Sequence, residues 1–552
     1  MANAANATEH VRPAMEIALD PASPWREAAF TPGRAFFAGD KESAAAVLRV
    51  LEGPAPPAPQ AIRDAFLRQR GQFAVIAETP DLLLAGVDAV RSLPLFYAED
   101  GRGGLRLSNA ARLALAAQPN PSPDPECLLE ARMAGYVTGA DTLFTGLRQI
   151  PSGEYLLWPK DGGAPRRECY FAYRPREPAG ATKAAWLKRL DRCVTEAFGR
   201  VLERTGDTQL LVPLSGGLDS RLVACKLKEL GARRILTFSY GMPGNQEAAT
   251  ARKVAAALDL PWVDVCSRRG RARGIGRSDA LRRYFDYADG LCSLPSVPEF
   301  ECFQTLRERG LLEPGAVVVN GQSGDFLTGG HIPRAFLEPG KGLDDVVAHI
   351  VGKHYALWQD LLTPENLAVV RRRVRADLEA RADGEPCPEN LAAWYEGWEW
   401  RERQCKLVVN GQRLYEFFGL GWELPLWDFD LARFYETVPL DWRLDQGLFK
   451  EYLAAYDYRQ VFSAIARPSF GYFGPSRLWL PYATMAMRIF LGRWGLRWAE
   501  KLGAYHHHYG NLYAMLGWRH FLSRVGRATV PPASRGVTAM FCEWWLRRAG
   551  LL

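Results

Sequence analysis

The chain has 552 residues, 48% apolar and 24% charged, with a formal net charge of +7. That length calls for two or three domains, and the composition is that of an ordinary globular protein. The modest charge gives no compositional reason to expect nucleic acid. No apolar run approaches the roughly 18 residues that span a bilayer, and the ten cysteines include no CxxC pair for zinc or redox work.

In chain order, about the first thirty residues are rich in Ala and Pro and read as a loose lead-in without a charged-then-apolar leader, so the expected location is cytoplasmic. From Phe73 the pattern turns to short apolar runs separated by turns: QFAVIAE, LLLAGVD, LPLFYAE and GLRLSN. RQIPSGEYLLW, from Arg148 to Trp158, adds a Pro-Ser-Gly turn and another strand. This is a β-rich α+β domain over residues 1–175, followed by a linker from Arg174 to Lys183.

The pattern then changes. Residues 184–204 read as an amphipathic helix and Gln209 to Leu214 as a strand. Asp219 to Leu230 is a helix stopped by Gly231, Ile235 to Tyr240 a strand, Gln246 to Leu258 a helix and Trp262 to Cys266 a strand. Strands and helices alternating at this spacing imply a parallel sheet. The apolar run Ala316 to Val319 leads into NGQSGDFLTGG, Asn320 to Gly330. From about Leu343 the chain reads as helical and rich in tryptophan. The fold class is therefore α/β, with a second domain over 184–480 and a helical extension over 481–552.

The chemistry concentrates in SGGLDS, Ser215 to Ser220, which follows a strand and opens a helix. Gly216 and Gly217 lack a Cβ, so the backbone can turn tightly and bring N–H groups against a ligand. The helix N-terminus adds partial positive charge, and Ser215 and Ser220 offer hydroxyls. That combination suits pyrophosphate. The loop has no Walker lysine. Asp219 would repel phosphate unless a hard cation such as Mg²⁺ stood between them. NGQSGDFLTGG has the same grammar, and in an open parallel sheet loops after strands gather at one edge. Asp325 is then expected to share the metal with Asp219.

SGGLDS resembles the pyrophosphate loop of the N-type ATP pyrophosphatases, and GQSGDFLTGG resembles the second ATP loop of the asparagine synthetases. LTFSYG, Glu247 and ELPLWDFDLARFYETVP (Glu423 to Pro439) follow in that family's order. GQFAVI, GVDAVRSLPLFY and the PSGEY turn are similar to its glutamine-hydrolysing domain. The resemblance implies an N-terminal-nucleophile-type α+β sandwich before an adenine nucleotide α-hydrolase-like domain. It implies ATP and Mg²⁺, with a carboxylate adenylated and then joined to an amine or ammonia. It assigns Ser215, Gly216, Gly217, Asp219 and Ser220 to pyrophosphate and metal. Pro213, Tyr240 and Gly321 fall to adenosine, and Asp325 to the metal.

Three departures stand out. The family's glutaminase nucleophile is an N-terminal cysteine, whereas this chain starts Met1-Ala2-Asn3 and its first cysteine is Cys127. The branch is cysteine-less in that narrow sense, and its first domain is expected to be inactive. Gln322 stands where a glutamate takes a proton from ammonia, and a neutral amide is no base. Ser469 stands where a lysine meets the phosphates, leaving Arg467 or Lys450 to supply that charge. Gln322, Lys450 and Arg467 are therefore the candidate catalytic positions.

Other features have blander readings. The runs Arg371 to Arg375 and Ser267 to Arg277 read as a solvated helix face and a surface loop, and Cys225 and Cys266 as small core residues. Consecutive histidines from His506 point about 100° apart on a helix and do not easily share a metal. Asp289, Glu299 and Glu301 carry little weight as pocket residues. The Trp- and Arg-striped tail from Leu478 to Arg527 reads as a helical cap, with peripheral membrane contact left open. Expected partners are a small-molecule carboxylate and an amine or ammonia, without nucleic acid; a homodimer is left open. The alternatives are an ATP-binding scaffold without catalysis and a tRNA-modifying enzyme of the same loop class.

Overall fold

A computed structural model describes residues 15–53, 57–101, 104–160, 163–176, 182–467, 476–506, 510–517, 519 and 533–552. The chain forms two compact units. The first comprises the described residues up to Cys127 with Gly139–Ala172 and Gly290–Cys292. The second comprises Leu128–Thr138, Tyr173–Asp289 and the described residues from Ser293 onward, including the helices after 480.

The first unit holds two sheets. A six-stranded sheet runs Arg166–Cys169, Glu154–Pro159, Leu82–Val87, Phe73–Glu78, Arg34–Gly39, Arg26–Ala28. A four-stranded sheet runs Met15–Ile17, Leu105–Ser108, Phe96–Glu99, Leu147–Gln149. Ile76, Leu83 and Leu156 of the first sheet share one buried cluster with Leu105, Leu107 and Tyr97 of the second. The sheets therefore pack face to face as a sandwich. The helix Pro59–Leu67 stacks Phe66 on Tyr155 and Tyr170, with ring centroids 5.4 and 4.9 Å apart.

The expected loose lead-in is wrong from Met15 onward. Met15–Ile17 pairs in parallel with Leu105–Ser108, and Arg26–Ala28 pairs antiparallel with Arg34–Gly39. Three-residue strands carry no readable alternation. Their partners, not their own sequence, make them strands.

The second unit is built on a parallel five-stranded sheet in the order Trp262–Cys266, Ile235–Gly241, Leu210–Pro213, Val317–Val319, Gly421–Glu423. The helices Lys183–Thr205, Leu218–Glu229 and Gln246–Ala257 alternate with its early strands. Strand order reverses between Leu210–Pro213 and Val317–Val319, and a crevice forms beyond the strand C-termini at such a switch point. Both glycine loops leave those two strands. Paired ions fasten the last strand and the helix after it: Arg204 holds Glu423 of the strand at 2.8 and 2.6 Å, and Arg200 holds Asp428, the cap of helix Phe429–Tyr435, at 2.9 and 2.6 Å.

Candidate functional site

The apolar strand Leu210–Pro213 is buried in the sheet, and its chain turns at Ser215 into the helix Leu218–Glu229. The turn is braced from within. Ser215 Oγ lies 2.9 Å from Ser220 Oγ and accepts from the Gly217 amide at 3.1 Å. The Ser215 amide donates to Ser220 Oγ at 3.1 Å. Behind it, the buried Arg221 donates to the carbonyls of Gly216 (2.8 Å), Val461 (3.1 Å) and Ile465 (2.6 Å). Burial and the nearby Arg467 charge both lower its basicity. Arg221 thus ties the segment ending at Arg467 to the loop.

The second loop closes onto the first because two of its residues are glycines. A Cβ on Gly321 would stand 3.0 Å from the Asp219 carbonyl carbon, and one on Gly324 would stand 2.5 Å from Asp219 Cγ. Between them Ser323 adopts a left-handed backbone, φ 62°, a strained choice for serine. Its hydroxyl donates to Gln404 Oε1 at 2.6 Å, which helps hold it there.

Asp219 and Asp325 are brought together. The Asp325 amide donates to Asp219 Oδ2 at 3.1 Å, while Asp219 Oδ1 is buried without a hydrogen-bond partner. Burial, and then the charge of Asp325, push the Asp219 carboxyl up to about 7. His331 lies beyond, Nε2 3.2 Å from Asp325 Oδ2 and Nδ1 2.7 Å from Glu399 Oε1. Burial alone would depress its basicity, but the two carboxylates outweigh it and raise His331 to about 9. Burial likewise raises Asp325, and the His331 hydrogen bond outweighs it to hold the carboxyl low.

A cavity of about 580 Å³ opens over the two loops. Pro213, Ser215, Gly217, Asp219, Ser220, Tyr240, Gly321, Gln322 and Asp325 line it. Gly216 is buried behind the wall with its carbonyl on Arg221. Gln322 accepts from Gln412 Nε2 at 2.7 Å. Lys450 is not among the lining residues, and its ammonium donates to the Asp445 carbonyl. Arg467 is exposed off the wall, and its charge favours the ionised form of Asp219. Ser469 and the histidines after His506 lie outside the described residues.

Sequence reasoning underrated one wall. Glu299 lines the cavity and accepts from the hydroxyls of Tyr415 and Tyr240. Tyr415 in turn accepts from Asn320 at 2.6 Å. Burial raises the Glu299 carboxyl despite those donors. Asn511 and Leu512 of the C-terminal helices complete the lining. A π-helix over Trp400–Val408 supplies Gln404, and Glu399 and Gln412 stand just outside its two ends. Asp289 and Glu301 serve the fold instead: Asp289 accepts from the Trp545 indole at 3.0 Å, and Glu301 from the Ser267 hydroxyl. Cys225 is buried as expected, but Cys266 is exposed at the end of its strand. Among Arg371 to Arg375, Arg373 departs from a solvated face by pairing with the buried Glu130 at 3.0 Å.

The donor set fits a hard divalent ion. Asp219 offers an unpartnered buried oxygen beside a second carboxylate. No cluster of three or more His, Cys, Asp or Glu among the described residues forms a metal shell by itself. Mg²⁺ is bound in this way, through one or two carboxylates with phosphate oxygens and water completing the octahedron.

A parallel-sheet α/β unit with a polar cavity at its switch point is the class this arrangement defines. Residues 189–461 match the asparagine synthase family model. No curated protein matches the chain. Among solved structures, similarity is found to an NH3-dependent NAD synthetase from Campylobacter jejuni, at 14% identity over 37% of this chain and 99% of that one, TM-score 0.18. It is also found to a glutamine phosphoribosylpyrophosphate amidotransferase from B. subtilis, at 13% identity over 55% of this chain and 60% of that one, TM-score 0.18. An allosteric regulatory enzyme of purine biosynthesis matches at 12% identity over 53% and 55%, TM-score 0.17. The chain thus spans little more than half the length of the latter two.

Proposed function

We propose that the second unit is an ATP-dependent ligase that adenylates a carboxylate and passes the acyl group to an amine or ammonia, releasing AMP and pyrophosphate. The observation that carries this reading is the meeting of two strand-end loops at Asp219 and Asp325 over one cavity, within the stretch that matches the asparagine synthase family. The Ser215–Ser220 turn and the helix behind it hold the β- and γ-phosphates, where backbone N–H groups and the helix dipole favour charge on the departing pyrophosphate. Pro213, Tyr240 and Gly321 border the adenosine side. Asp219 and Asp325 hold Mg²⁺, which when bound neutralises phosphate charge. The substrate carboxylate oxygen attacks the α-phosphorus and the α–β anhydride bond breaks. The amine nitrogen then bonds to the acyl carbon, AMP leaves, and the amine proton must be accepted. Gln322 cannot take that proton; Glu299 on the same wall, made more basic by burial, can.

The first unit is proposed to lack glutamine hydrolysis. In the first unit Cys127 and Cys292 are buried, and Cys169 donates its thiol to the Phe171 carbonyl. Glutamate release from glutamine would overturn that part.

The test is incubation with Mg-ATP, panels of carboxylic acids and amines, and detection of AMP, pyrophosphate and acid-dependent ATP–pyrophosphate exchange. A second reading, an ATP-binding scaffold, is favoured by Gln322 resting on Gln412 and by Lys450 turned to Asp445. ATP binding without AMP release under any acid would select it.

A further inference from the structure

We propose that the helical element Ser476–His506 docks the protein on an anionic membrane surface, lying in the headgroup layer without crossing it. Nine of the thirteen exposed large hydrophobic residues among the described residues belong to this one element. Leu478, Tyr482, Met485 and Ile489 recur at helical spacing, within a stripe roughly 60° wide. Phe490 beside the stripe is 82% exposed, and Trp494 beyond it is 71% exposed. Isolated apolar residues on a surface are ordinary, but a contiguous run of this size marks an interaction site.

Charge selects the occupant. The element Ser476–His506 holds four arginines and Lys501 against a single carboxylate, Glu500. Arg488 is exposed on the element itself. An apolar aromatic stripe on an element with a clear excess of cations matches the acyl–headgroup boundary of an acidic leaflet, where Trp and Tyr sit at the interface and Arg meets lipid phosphate. No helix among the described residues is long and apolar enough to span a membrane. Pro481 and the left-handed Gly492, φ 52°, interrupt the element. The geometry is that of a helix lying on a surface. Asn511 and Leu512, which line the nucleotide cavity, follow shortly after it in the chain, so docking would bring that cavity near the lipid.

The test is co-flotation of the full chain with vesicles of phosphatidylcholine alone or with about 30% phosphatidylglycerol. The expected result is binding to the acidic vesicles that falls as salt rises from about 0.1 to 0.5 M. The double substitution Phe490→Glu, Trp494→Glu should reduce it about tenfold or more. Arg488→Glu should weaken binding and flatten its salt dependence, and all variants should keep their ATP affinity. Failure of the full chain to float with acidic vesicles would overturn the proposal, as would unchanged flotation of the double variant. So would a finding that the apolar substitutions dissociate a self-associated form that has no affinity for vesicles.

Discussion

Replacing Asp219 by asparagine should make the ligand-free protein more stable while removing its Mg-ATP site. The buried Asp219 carboxyl, beside Asp325, is pushed from 3.8 to about 7. The folded protein thus holds a proton there that the unfolded chain has already lost. Stability contributed at this site is present below pH 3.8, falls as pH rises, and is fully lost above about 7. At about 1.36 kcal/mol per pKa unit the penalty is about 4 kcal/mol at most. Partial exposure of the residue reduces the expectation to roughly 2–4 kcal/mol. Asparagine does not ionise, and its oxygen can still accept from the Asp325 amide. Urea unfolding followed by tryptophan fluorescence should show Asp219→Asn ahead of wild type by that margin at pH 8 and level with it near pH 4. Calorimetry should show Mg-ATP affinity down by about a hundredfold or more. A variant less stable than wild type at pH 8, or one that binds Mg-ATP normally, would refute the reasoning.

The His331 bridge loses stability with rising pH in the same sense, over a more alkaline window. It is raised from 6.5 to about 9, so its stabilisation is complete below 6.5 and lost as pH rises through about 9. Its worth is about 2–3 kcal/mol, and His331→Gln should flatten the alkaline limb of the stability–pH profile. Arg221→Ala should leave the Gly216, Val461 and Ile465 carbonyls without their donor. The expected cost is about 2–4 kcal/mol in unfolding titrations, with ATP affinity weakened as the loop slackens. Gln322→Ala should lower AMP formation by less than about tenfold, because an amide contributes orientation and no proton transfer, whereas Glu299→Gln should cost about 10² or more. Equal effects of the two substitutions would remove Glu299 from the proposed role.

The strand–loop–helix units of the second unit were readable because their signals are local. Leu210–Pro213 is an apolar run, SGGLDS follows it, and Gly231 at φ 87° ends the helix. The pairing of Asp219 with Asp325 was also accessible, since parallel strands carry their following loops to one edge. What stayed hidden depends on partners distant in sequence. Met15–Ile17 is a strand only because Leu105–Ser108 lies beside it. Glu299, Asn320 and Tyr415 become one hydrogen-bonded wall from three separate segments. The π-helix at Trp400–Val408 has no composition signal, yet its Gln404 steadies Ser323. Nothing in the sequence marks Arg221 apart from other charges on a helix, yet its guanidinium is buried among carbonyls.

The central claim is that both loops grip one divalent ion together with the triphosphate of ATP. Electron paramagnetic resonance of Mn²⁺ titrated into the full chain, with and without ATP, tests it most directly. The account predicts a single tightly held Mn²⁺ that requires ATP and is lost in both Asp219→Asn and Asp325→Asn. Mn²⁺ uptake that ignores ATP, or that survives both substitutions, would contradict it.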